Sequence, residues 1–249
     1  MFANIADMLI LGVGRFLVDN AWGIEAFGKV SFSLSLVNFF ITFVTQASMV
    51  LFPALRQGSN EEQRSFYGAI RDAMETLFPA VLILYFPMVA LLKLWLPQYA
   101  DSMIYFAYLL PVCVFNTKMD VCCTTYFKVL RMERTLLFVN ITAVIASLVF
   151  ALAGVYLFNS LELVLLGAVT SIAWRSLWSE KLLNRRLAVE GSALLYEELL
   201  LTALFILCAL LADGWMGCFV YGVCFLVYLL KNKEIFQRVV CMFSRILSH

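Results

Sequence analysis

What most limits the fold of this chain is its succession of long, uninterrupted apolar runs. Eight stretches approach the roughly 20 mostly apolar residues that a spanning helix needs. They cover about residues 2–19, 26–52, 72–95, 102–127, 135–158, 161–182, 197–212 and 214–230. The last two are short and joined by Asp213-Gly214, so they read as a tight helical hairpin. Because the runs are continuous rather than alternating, a closed β-barrel is excluded. A soluble domain is excluded as well. The chain is 63% hydrophobic and 14% charged, against about 45–50% and 25% for soluble domains. A core of this size cannot hide that much apolar surface from water, so the excess is expected to face lipid. The expected fold is an all-α polytopic membrane protein of about eight transmembrane helices.

The first run carries Asp7, Arg15 and Asp19 and lacks a cleavage site, so it is not read as a signal peptide. A second helix running from Gly23 to Arg56 would be about 50 Å long at 1.5 Å per residue. That exceeds a hydrocarbon core of about 30 Å, so one end is expected to bend or project. Basic residues set the orientation. Arg56, Arg64 and Arg71 follow the second run, Lys128, Arg131 and Arg134 the fourth, and Lys181, Arg185 and Arg186 the sixth. Lys231, Lys233, Arg238 and Arg245 follow the last. The loops near 20–25, 96–101, 159–162 and 213 hold no Lys or Arg. By the positive-inside rule the first set lies in the cytoplasm with both termini, as an even number of crossings requires. Residues 1–230 then form one helical lobe. The tail 231–249 is either an amphipathic helix on the inner leaflet or a frayed basic terminus.

A net charge of +1 offers nothing to nucleic acid. The only histidine is His249, and the seven cysteines lie mostly inside apolar runs without paired spacing. Neither a metal, a cofactor nor a disulfide framework is expected. No Gly-rich phosphate loop, Ser/His pairing or acidic transferase cluster is present, and the loops are too short for a nucleotide module. Enzymatic function is not expected.

Function is therefore sought in the polar residues inside the runs, because a charge at a helix centre costs about 2.5–3.5 kcal/mol on insertion scales. Asp7, Leu11, Arg15 and Asp19 share one i, i+4 row, with Arg15 and Asp19 able to pair. The row either lines a cavity or anchors helix ends. Ser31, Ser35, Asn38, Thr42, Thr45 and Gln46 form a hydroxyl and amide stripe. Its serines suit a dry helix contact, whereas Asn38 and Gln46 suit a wet surface. Asn116, Asp120, Thr124 and Lys128 share another face, and Lys118 points elsewhere. Charges this deep need partners on other helices or water, as cavity lining or as an interhelical ion pair. Arg175 either snorkels inward or offers its planar fork to a phosphate. Pro79, Pro87 and Pro111 are expected to break the third and fourth helices.

Two stretches carry a resemblance. The run from Trp22 to Gln57, ending SMVLFPALRQ before a polar Glu/Arg loop, resembles the helix that opens the second lobe's core in polysaccharide flippases. These flippases (O-antigen and capsule type) belong to the multidrug/oligosaccharidyl-lipid/polysaccharide exporter superfamily. The run from Thr124 to Arg185, TTYFKVLRMERTLLFVN onward to SLWSEKLLNR, is similar to the C-terminal repeat of that family. The similarity covers essentially the whole chain, without a single diagnostic motif.

The resemblance implies a flippase that moves undecaprenyl-pyrophosphate-linked oligosaccharide across the bacterial inner membrane by alternating access. Its partners would be that lipid-linked sugar, membrane lipids and a first lobe on the same or another chain. A family member has two lobes and about twice this length, and the chain opens at MFANIADMLILG, in what looks like the middle. It is read as a truncated gene product, a sequence fragment or one half of a split transporter. On this reading Arg15, Asn38, Gln46, Lys118 and Arg175 would line the substrate cavity, and Asp7 or Asp120 would bind the coupling cation. Two rivals remain: a multidrug or cation antiporter lobe of the same superfamily, and a non-transporting scaffold for polysaccharide assembly.

Overall fold

A computed structural model describes residues 2–49, 60–189, 194–211, 214–233 and 235–238. Among these, every regular element is helical: α1 (Phe2–Met49), α2 (Asn60–Leu77), α3 (Tyr85–Trp95), α4 (Ser102–Leu109), α5 (Pro111–Lys118), α6 (Thr125–Val129), α7 (Glu133–Tyr156), α8 (Leu161–Leu187), α9 (Leu194–Leu211) and α10 (Gly214–Lys231). A 3₁₀ segment, Phe78–Leu84, joins α2 to α3, and a π-helical turn, Met119–Thr124, joins α5 to α6. Among the described residues, five stretches are long and apolar enough to cross a membrane: Met8–Thr42, Tyr67–Trp95, Ser102–Val129, Glu133–Tyr156 and Leu161–Leu187. The apolar helix Trp215–Lys231 is shorter. Asp213 and the tail from residue 239 lie outside the described residues.

The two spans expected over 2–19 and 26–52 are one helical stretch, broken at Gly23. That residue sits at φ 79°, ψ −177°, a conformation open to glycine and strained for other residues. Contacts on either side show that the chain reverses there. Ser147 donates to the Ile10 carbonyl, and Gly14 faces Val164, which also packs on Gly154, so the first arm runs alongside α7 in the same sense. Ser33 donates to the Ser102 carbonyl and Cys113 to that of Val37, so the second arm runs with α4 and α5. α8 runs with α5, pairing Arg175 with Asn116 and Glu180 with Lys118, and antiparallel to α7. The two arms of α1 therefore point in opposite senses, and Ile24 at the tip is 82% exposed. Lys29 ties this tip to Glu25 and Asp101.

Arg64 and Arg71, expected in a loop after the second run, lie on α2 instead. The reason is the period: Tyr67, Ile70, Arg71, Met74 and Glu75 fall at helical spacing, and all five are buried. The helix is polar overall, which hid it among loop residues. Pro79 then ends it. A proline lacks the N–H that would bond the carbonyl four residues back, here Glu75. The Tyr228 hydroxyl donates to that carbonyl (3.0 Å), and the Tyr221 hydroxyl, two turns earlier on α10, donates to the Pro79 carbonyl (2.9 Å). The backbone continues as 3₁₀ through the break.

α4, α5 and α6 form the central rod, interrupted at Leu110 before Pro111, as expected of that proline. α7 and α8 pack as a close hairpin beside it. A Cβ built on Gly167 would sit 2.6 Å from the Phe150 Cβ, so only glycine allows this approach. Ser160 caps α8, its hydroxyl accepting from the Leu163 amide.

Candidate functional site

The centre of the bundle holds an ion cluster built from four elements. Lys118, the last residue of α5, is 1% exposed. Its Nζ lies 2.9 Å from Glu75 Oε1 of α2, 2.7 Å from Glu180 Oε2 of α8 and 2.8 Å from Glu198 Oε2 of α9. The Glu75 and Glu198 contacts are hydrogen bonds. Glu180 is close enough for an ion pair, although its angle falls outside hydrogen-bond geometry. Asn184, one turn on from Glu180, donates to Glu180 Oε1 and accepts from Arg71 Nη1. Arg71 also binds Asp72. A polar chain therefore runs Asp72–Arg71–Asn184–Glu180–Lys118 and divides to Glu75 and Glu198. Taking such charges out of water is costly unless each is paired, and this arrangement pairs the ammonium three times over.

The remaining predicted residues are dispersed. Arg175 neither snorkels nor opens toward a phosphate. It is fully buried, and Nη2 donates to Asn116 Oδ1 (2.7 Å). Snorkelling fails because the α8 turn below it is itself packed, with Ser176, Ser179 and Glu180 all buried. Arg15 is half-buried and Asp19 exposed, and the two do not pair. Asn38 is exposed, and its backbone carbonyl accepts from Thr42, as the Ser31 carbonyl accepts from Ser35. Those stripe hydroxyls bond back onto their own helix. The contact to α4 is made by Ser33, which the stripe omitted. Asp120 is half-buried in the π-helical turn, where a wider turn breaks the face it was expected to share with Thr124 and Lys128. Asp7 and Gln46 lie on α1, but their side chains fall outside the described residues.

A separate cleft of about 950 Å³ opens along the C-terminal half of α8 against the start of α9. Trp174, Trp178 and Tyr196 supply its aromatic surface, Lys181 and Arg185 its cations, and Leu199 an apolar wall. Trp178 stands edge-on to both Trp174 and Phe138. At the cleft's edge Arg64 donates to the Ala188 carbonyl. The cleft contains none of the seven residues proposed from sequence. Asn184 lines it and also touches the buried cluster.

Sequence reasoning missed Arg71, Glu75, Glu180 and Glu198. The available signal was Lys118 itself. An ammonium this deep requires carboxylates on other helices, and the chain has few glutamates inside apolar runs. Among the described residues no group of His, Cys, Asp or Glu is placed to hold a metal ion. The Lys118 ammonium occupies the space between the carboxylates. Compared with known proteins, the chain matches no family, no curated protein and no solved structure.

Proposed function

We propose that this chain is a C-terminal lobe of a flippase for undecaprenyl-pyrophosphate-linked oligosaccharide, acting in cell-surface polysaccharide biosynthesis. It would cross the bacterial inner membrane eight times with both termini in the cytoplasm and work with a first lobe. The observation that carries this reading is the cleft on α8. Its two tryptophans offer flat apolar faces on which sugar rings stack, and Lys181 and Arg185 supply charge for a pyrophosphate. The apolar wall leaves a path for the lipid tail, which stays in the bilayer. The reversal at Gly23 supports the crossing count, since it divides Met8–Thr42 into two arms of opposite sense.

The cleft moves the substrate contacts away from the residues named from sequence. Lys118 and Arg175 are engaged by Glu75, Glu180, Glu198 and Asn116, so they act as framework that fixes α8 beside the cleft. One observation favours the rival antiporter lobe: three carboxylates converge in the interior, the charge an organic cation seeks.

Tryptophan fluorescence separates the two on the full chain in lipid nanodiscs. Titration with undecaprenyl-pyrophosphate-linked oligosaccharide is expected to quench Trp174 and Trp178 saturably, and Arg185→Ala to weaken that binding. Quenching by tetraphenylphosphonium, with none by the lipid-linked sugar, would replace the flippase with the antiporter lobe. Binding of neither would leave the scaffold role, read by co-purification with glycosyltransferases.

A further inference from the structure

Within contact distance of Lys118 the charges do not balance. One ammonium meets the carboxylates of Glu75, Glu180 and Glu198, and all four side chains are at most 1% exposed. Glu198 stands apart from the other two. Its Oε2 accepts from Lys118, while its Oε1 is buried and has no hydrogen-bond partner among the described residues. Glu180 Oε2 also lacks a hydrogen bond, but it lies 2.7 Å from the ammonium as an ion pair, and its Oε1 accepts from Asn184. An ionised Glu198 would leave charge on an oxygen with no donor, in surroundings that solvate it poorly, at a cost well above that of the neutral acid. The neutral acid fits the geometry. Its carbonyl oxygen, Oε2, accepts from the ammonium, and Oε1 carries the proton.

The surrounding charges come from every side. Arg71 and Glu75 approach from α2, Lys118 from α5, Cys122 from the π-helical turn, Glu180 from α8, and Tyr228 from α10. Glu197, the neighbour on α9, turns away to Lys231 and Asn232. With Glu198 neutral, Lys118 faces two carboxylates rather than three, and Arg71 stands behind one of them through Asn184.

We infer that Glu198 is a proton-binding site in the core of the bundle, occupied at neutral pH and reached from the α8 cleft past Asn184. Asn184 is the link because it lines that cleft and also bonds Glu180, which shares an ammonium with Glu198. This assignment is independent of what cargo the cleft takes.

Infrared difference spectroscopy on the full chain in nanodiscs at neutral pH reads the carbonyl stretch of a protonated carboxyl directly. The band is expected in the wild type, lost in Glu198→Gln and kept in Glu197→Gln. Asn184→Leu is expected to slow its shift in D₂O. No band in the wild type, or a band that survives Glu198→Gln, would overturn the site, and unchanged deuteration in Asn184→Leu would overturn the route. Unfolding gives a second reading. Gln mimics a neutral acid, so Glu198→Gln is expected to keep the wild-type midpoint while Glu180→Gln lowers it. An equal fall in both, or failure of Glu198→Gln to fold, would show that Glu198 is ionised.

Discussion

The rod formed by α4 to α6 and the helix α7 read alike as apolar runs of similar length, yet they occupy opposite environments. In the rod's spanning stretch, Ser102–Val129, 94% of the most apolar 18 residues are buried inside the protein, against 33% for Glu133–Tyr156. The buried one is the more polar, carrying Asn116, Lys118 and Asp120, whereas α7 turns Phe138, Ile141, Ile145 and Val149 outward. In water the more apolar helix would be the central one. In a bilayer the preference inverts: lipid accepts an apolar face without cost, while a polar helix must find its partners within the protein. Burial in this chain therefore follows charge, and the rod is where substitutions should be felt most.

The sharpest way to break that contrast is Lys118→Met. It leaves three carboxylates around an apolar side chain, and removing one partner of a buried ion pair costs about 3–5 kcal/mol. Chemical unfolding in detergent should show the largest loss of any single substitution here. A midpoint shift equivalent to under about 0.5 kcal/mol, the range of ordinary surface changes, would mean that the rod is no more demanding than α7.

The same contrast explains what the sequence disclosed. Helical class and most helix positions were legible, because runs such as 135–158 and 161–182 end within a few residues of α7 and α8. Of the three prolines expected to break helices, Pro79 and Pro111 do so, since a missing N–H acts locally, whereas Pro87 sits in the first turn of α3, where no N–H is needed. Partnerships were not. Glu75 and Glu180 stand at the margins of their apolar runs and read as boundary residues, and only the tertiary fold carries them to Lys118. The face assigned to Asn116, Asp120, Thr124 and Lys128 assumed a regular α-helix, and the π-helical turn at Met119–Thr124 shifts that register. The cleft was missed for a related reason. Trp174 and Lys181 lie on α8 as single residues, and Tyr196 comes from a different helix.

Two intermediate effects test how the rod's surroundings are held. Gly167→Leu forces a side chain against Phe150 at the α7–α8 contact, where a Cβ already meets carbon at 2.6 Å. Overpacking of this kind costs about 1–3 kcal/mol, and the variant should unfold at lower denaturant while retaining helical circular dichroism. Tyr228→Phe removes the donor to the Glu75 carbonyl freed by Pro79. A net loss of about 1 kcal/mol is expected for one such bond. No loss at all would show that another donor takes over at the break, and that α10 is not what secures it.

The smallest effect is expected on α7 and has the opposite sign. Asn140 is 3% exposed on the inner face of that helix, and neither its Oδ1 nor its Nδ2 has a partner among the described residues. It is the reverse of Lys118: a buried polar group without compensation, on a helix whose buried Ser147 does find one in the Ile10 carbonyl. Asn140→Leu keeps the heavy-atom count and branching of the side chain and removes the unmet polarity, so it should stabilise the bundle. The gain should not exceed about 0.6 kcal/mol, the average worth of a polar contact between membrane helices, because the unfolded helix in lipid must accommodate the same amide. A clear loss in the unfolding midpoint would mean that Asn140 meets a partner in the membrane, and that α7 shares some of the rod's demand for polar company.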